Sequence, residues 1–197
     1  MKTTIRTLAL AAFAAVTLTQ VGAAEDPKGD MLEYITPNVF KTELAAGKIK
    51  PNTFYWANSV SDQTLVPTSK TDAGGAFLEI RGGGSSAKAK SFLYRLVPIP
   101  AGKSAAANVS LDANYEPDLW AATPPQTGER PTVEVYFTDG TRVSGAIPMG
   151  IFPGKVNTWG VLKKSYPVPP GAKFIGITAT CPASYFARMR NINITFE

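Results

Sequence analysis

The strongest constraint on this chain is a period-two alternation of apolar and polar residues that recurs in short runs, each bounded by glycine, proline, asparagine or aspartate. Successive side chains of a strand point to opposite faces, so such a run has one face to bury and one to solvate. Residues 76–81 place Ala76, Leu78 and Ile80 on one face and Phe77, Glu79 and Arg81 on the other. Residues 107–113 set Ala107, Val109 and Leu111 against Asn108, Ser110 and Asp112. Residues 132–137 set Val133, Val135 and Phe137 against Thr132, Glu134 and Tyr136, ahead of an Asp139-Gly140 turn. The pattern returns over 173–179 and 190–196, where Ile175, Ile177 and Ala179, then Ile192, Ile194 and Phe196, share apolar faces.

Strands with one apolar face must bury it against another layer, and two antiparallel sheets packed face to face do so. The sequence predicts an all-β fold, an antiparallel β-sandwich forming a single domain over residues 38–197, preceded by a polar lead-in over 25–37. Helical period is confined to a stretch around Val39 to Ala46 before Gly47, where a helical turn and a strand followed by a turn are both compatible. Segments 82–90, 114–131 and 145–160 carry so much glycine, proline and serine that they are expected to be loops or short edge strands.

Composition then narrows the chemistry. The chain has no histidine and one cysteine, Cys181. That excludes Ser-His-Asp and Cys-His catalysis, imidazole metal sites, an intrachain disulfide and a CxxC zinc site. Cys181, at a strand end before Pro182, is expected to be a buried, inert thiol. Glycoside hydrolysis needs two carboxyl groups facing each other across a cleft. Glu116 and Asp118 are too close in sequence to ensure that, and Glu79 and Glu134 would have to meet on adjacent strands. No enzymatic activity, cofactor or metal site is therefore expected. The acidic stretch from Asp112 to Asp118 lacks the D-x-D-x-D-G spacing of a calcium loop.

Residues 1–24 have the order of a secretory signal peptide: Lys2 and Arg6, an uncharged Ala- and Leu-rich stretch, then Val21, Gly22, Ala23 and Ala24 before Glu25-Asp26. Cleavage after Ala23 or Ala24 is expected, which makes the protein secreted or periplasmic and leaves no membrane span. Without Lys2 and Arg6 the chain keeps 18 Lys and Arg against 15 Asp and Glu, and its net charge falls from +5 to +3. The remaining lysines are dispersed, so no nucleic-acid partner is expected.

Three stretches in order, SFLYRLVPIPAGKSAAANVSLDA (91–113), PTVEVYFTDGTRVSG (131–145) and WGVLKKSYPVPPGAKFIGITATCPASYFARMRNINITF (159–196), together resemble the galactose-binding-like, jelly-roll family of carbohydrate-binding modules. The likeness rests on the turn at Pro98-Ile99-Pro100-Ala101-Gly102, on Trp159, on Val168-Pro169-Pro170-Gly171-Ala172 and on a closing strand from Asn191 to Phe196. It implies a jelly-roll sandwich that binds glycan. Members often carry an acidic pair for structural calcium just before the closing strand. This chain has Arg188, Arg190 and Asn191 there, so the likeness does not extend to that ion.

Sugar binding requires aromatic faces that stack on a pyranose and polar side chains that bond its hydroxyls. The candidates are Tyr136, Glu134, Asn108, Asp112 and Arg81 on polar strand faces, with Trp120 in the acidic loop. Trp159 is expected to pack against the sheet. A polysaccharide or other glycan is the expected partner. The alternative is an extracellular or envelope structural module that contacts protein, which predicts a contiguous apolar patch outside a sheet or at an edge.

Overall fold

The computed structural model describes residues 32–59, 65–83, 90–102, 105–121, 125 and 128–197; the expected signal peptide and most of the 82–90 loop lie outside them. The elements run in order β1 (Leu32–Tyr34), α1 (Pro37–Ala45), β2 (Phe54–Asn58), β3 (Thr68–Asp72), β4 (Gly75–Arg81), β5 (Ser91–Pro98), β6 (Ala106–Pro117), β7 (Thr132–Thr138), β8 (Ile147–Ile151), β9 (Gly160–Pro167), β10 (Phe174–Cys181) and β11 (Tyr185–Phe196). One sheet has the order β1-β2-β5-β10-β7-β8, the other β3-β4-β11-β6-β9. Within them, β5-β10-β7-β8 faces β4-β11-β6-β9. From β4 onward the chain crosses between sheets at every step but β7 to β8, which is the eight-stranded jelly roll.

The alternating apolar faces form the interior. Val133, Val135, Phe137, Ile175 and Ile177 from one sheet meet Leu78, Ile80, Val109, Leu111 and Met189 from the other. Strand β11 keeps its apolar residues inward through a change of phase. Ala187 and Met189 point in before a bulge between Arg190 and Asn193, and Ile192, Ile194 and Phe196 point in after it. Asn191 sits in that bulge at φ +51°, a left-handed conformation that asparagine tolerates better than most residues.

Two elements differ from expectation, and a third takes one of its two expected forms. Strand β6 continues to Pro117, because Tyr115 still packs inward and β11 pairs with it from Tyr185 onward. Residues 32–34, within the expected lead-in, form β1, which pairs in parallel with β2 and places the Tyr34 ring edge-on against Trp56 at 4.7 Å. The Val39–Ala46 stretch is helical. Thr36 caps α1 by accepting a bond from the Val39 N–H, Pro37 opens it, and Gly47 follows at φ +67°. The apolar side of α1, Phe40 and Leu44, lies on the outer face of the first sheet against Tyr55 and Tyr94. As expected for 145–160, β8 is a short edge strand, and β9 closes the edge of the opposite sheet.

Candidate functional site

The helix covers only part of that outer face. Between α1 and the chain that joins β7 to β8 lies a cleft of about 480 Å³, with Phe40, Lys41 and Leu44 on one wall, Val143, Ser144 and Ala146 on the other, and Tyr94, Tyr136 and Thr178 beneath. Its aromatic floor is built of stacked rings. Phe40 stacks on Tyr94 at 4.6 Å and 17°, and Phe92 continues the stack from the other side at 6.1 Å and 16°. The Tyr136 ring lies flat over Gly176, its register partner on β10; a Cβ built on Gly176 would stand 2.0 Å from that ring. Tyr136 is only 6% exposed, and its hydroxyl is buried without a hydrogen-bond partner. Burial pushes its pKa well up, and that of Tyr94 likewise, so both remain neutral phenols.

The second wall is held by the β7–β8 corner. One carboxylate oxygen of Asp139 accepts from the Thr141 and Arg142 backbone N–H groups, both at 2.7 Å, and from the Thr141 hydroxyl at 2.8 Å. These bonds hold its pKa down to about 2. The Ser144 hydroxyl then accepts from the Phe137 N–H at 2.8 Å and donates to the Gly145 carbonyl at 3.1 Å.

The residues expected from sequence to bind ligand fall into three places. Tyr136 lies in the cleft floor, and Glu134, half-buried on the same outer face, is in register with Thr178. Asn108, Asp112 and Arg81 lie on the outer face of the opposite sheet, where partners already engage them. Asn108 donates to Glu197 at 2.7 Å, Asp112 accepts from Asn191 at 2.8 Å, and Arg81 donates to Asp118 at 2.6 Å. Around them Arg188 joins Glu79 at 2.7 Å to Glu116 at 2.5 Å, and Arg190 bonds Asp72 at 2.8 Å while lying 4.1 Å from the Trp159 ring centre. Trp159 packs over this face, donating to Asp72 at 2.9 Å and meeting Phe77 edge-on. Phe77 and Glu79, outward by alternation, are therefore buried. Trp120 stands apart in the loop after β6, 90% exposed beside Leu119 at 85%. Its backbone N–H donates to Asp118, whose carboxylate also holds Arg81.

Phe40, Lys41, Leu44, Val143, Ser144 and Ala146 line the cleft without a binding signal in the sequence around them. The i, i+4 spacing of Phe40 and Leu44 marks one apolar side of a helix, yet nothing local indicates which sheet face that side covers. Among the described residues no group of three or more His, Cys, Asp or Glu side chains is placed to hold a metal ion. Cys181 is buried, lies 3.2 Å from the Tyr185 carbonyl, and its thiol pKa is pushed up by burial. No helix of the described residues is long and apolar enough to cross a membrane.

Together these features define a jelly-roll β-sandwich with an aromatic-floored cleft on one outer face. No protein-family model matches the chain, and no curated protein matches it in sequence. Among solved structures it is similar to the enzymatically active domain of tailspike protein 4 of bacteriophage CBA120, with a TM-score of 0.54 and 12% identity over 73% of this chain and 19% of that one. It is also similar to a proposed sugar-binding protein of Bacteroides thetaiotaomicron, with a TM-score of 0.50 and 11% identity over 84% of this chain and 94% of that one. Most of the similar structures are carbohydrate-binding modules. One example is the CBM22-1 and GH10 portion of a Clostridium thermocellum xylanase complexed with xylohexaose, at a TM-score of 0.48 and 13% identity over 72% of this chain and 26% of that one. The chain thus spans about a fifth of the tailspike and a quarter of the xylanase polypeptide. At these identities the likeness is one of fold.

Proposed function

We propose that the mature chain is an exported, non-catalytic module that binds carbohydrate in the cleft between α1 and the β7–β8 corner. The observation that carries this reading is the cleft itself: tyrosine rings form its floor, and Lys41, Ser144 and Thr178 stand around it. Binding sites for small ligands are commonly concave, mostly apolar, and supplied with a few placed polar groups. The sugar binding proposed for the Bacteroides protein of similar fold agrees with it. A non-catalytic role is supported by the carboxylates of the opposite sheet. Glu79 and Glu116 both bond the Arg188 guanidinium and so act as its acceptors, where a glycosidase needs its two carboxyl groups facing each other across a glycosidic bond.

A second reading, docking of a protein partner, is favoured by the exposed pair Leu119 and Trp120. One experiment addresses both. The mature protein, Ala146→Trp and Trp120→Ala are compared by affinity electrophoresis on a polysaccharide panel, with folding checked by circular dichroism. The tryptophan at 146 fills the cleft, so retention of the parent on at least one polysaccharide and its loss in Ala146→Trp is the expected result. Folded parent protein that no polysaccharide retards would overturn the proposal. Retention lost in Trp120→Ala alone would move the site to the loop.

A further inference from the structure

The inner surface of the cleft is more apolar than an unsubstituted sugar requires, and we infer that it takes an aryl substituent carried on a glycan, with the sugar itself at the mouth. This rests on the carbohydrate reading above and names the ligand class within it. Phe40, Leu44, Val143 and Ala146 offer no side-chain hydrogen bond, and the Tyr136 hydroxyl is sealed from solvent, so the cleft meets the ring of Tyr136 rather than its polar end. Tyr34 and Tyr166 also carry unpartnered hydroxyls but stand outside this cleft. Ser144 already donates to Gly145 and accepts from Phe137. The polar capacity that remains is the Lys41 ammonium and the Tyr94 and Thr178 hydroxyls, with Glu134 in register beside Thr178.

A pyranose pushed into this space would leave most of its hydroxyls against hydrocarbon, where each unmade hydrogen bond opposes binding. An aromatic ring has no such groups. It can lie against Tyr94, Phe40 and Tyr136 in the offset or edge-on arrangements that aromatic pairs favour. A volume of about 480 Å³ admits both that ring and part of the sugar that bears it. The glycan then meets Lys41, Thr178 and Glu134 with its hydroxyls, and the aryl group supplies the contact with the floor.

Matched methyl and phenyl β-glycosides of galactose, glucose and xylose, with phenol as a third probe, test this by amide chemical-shift titration of the mature protein and of Ala146→Trp. The phenyl glycoside of at least one sugar should bind about tenfold or more tightly than its methyl counterpart, on the apolar area it buries. The preference should vanish in Ala146→Trp, and the shifted amides should include those of residues 40–44 and 143–146. Equal affinities for phenyl and methyl glycosides overturn the aryl assignment and leave the carbohydrate reading standing. Phenol binding as tightly as its glycosides, with no methyl glycoside bound, overturns the carbohydrate reading and the glycan-borne ligand with it. Phenyl-glycoside shifts confined to residues away from the cleft overturn the inference.

Discussion

Gly176 and Tyr136 are paired on β10 and β7, and the tyrosine ring occupies the space a side chain at 176 would need. Because the obstruction is a buried ring in the cluster that includes Phe40 and Leu44 of α1, it cannot swing aside as a flexible surface chain would. Gly176→Ala is therefore expected to cost about 1–3 kcal/mol through overpacking. Tyr136→Phe should behave oppositely: the hydroxyl it removes is buried without a partner, so stability should hold or rise by about 1 kcal/mol. Urea midpoints of the two variants against the parent read both effects, and an unchanged midpoint for Gly176→Ala would contradict the ring-on-glycine packing. The alternation over 132–137 shows that Tyr136 points away from the sandwich interior. It cannot show that the residue is buried there, since the cover is a helix nearly a hundred residues earlier in the chain. Glu79 and Phe77 carry the same lesson on the other sheet, where Arg188 and Trp159 close over them.

The elements divide according to how local their causes are. Inward faces such as Val133, Val135 and Phe137 were legible because a strand's period is a property of the strand. The end of β6 at Pro117 was not, because Tyr115 and Glu116 sit beside a proline-rich run whose composition speaks for a loop, while the pairing with β11 that prolongs the strand is remote in sequence. The β7–β8 corner lies between these cases: Asp139-Gly140 announces a turn, but only the structure shows that its bonds hold a cleft wall. The folded pKa of Asp139, about 2, lies below the 3.8 of the free carboxyl. Its contribution is thus full above about pH 4 and is lost as the pH falls through about 2. Acid titration followed at the Thr141, Arg142 and Ser144 amides should show a midpoint near pH 2. A midpoint at the ordinary carboxylate value would mean that the three bonds to Asp139 do not form. At neutral pH, Asp139→Ala should widen the exchange of the same amides and weaken ligand binding in the cleft while leaving the strands in place.

For the molecule as a whole, the first strand matters more than its length suggests. The jelly-roll core from β4 to β11 would close without β1, and on the sequence pattern the domain begins at residue 38. Yet β1 aligns the chain that leads into α1. Tyr34 packs on Trp56, the Ile35 N–H bonds the Trp56 carbonyl at 2.8 Å, Ile35 is buried with Phe40 and Leu44, and Thr36 caps the helix. Removing residues up to 37 strips the helix of its cap, worth about 1 kcal/mol, and of the buried Ile35, worth about 2 kcal/mol. A chain starting at Asn38 should therefore unfold several degrees below one starting at Glu25, and should lose cleft binding even at temperatures where its sandwich stays folded. Signal cleavage after Ala23 or Ala24, as proposed for the exported protein, keeps β1 in the mature chain, and mass spectrometry of that protein should find Ala24 or Glu25 first. If the two chains melt together and bind alike, α1 is seated by its contacts with the sheet alone, and β1 plays no part in shaping the cleft.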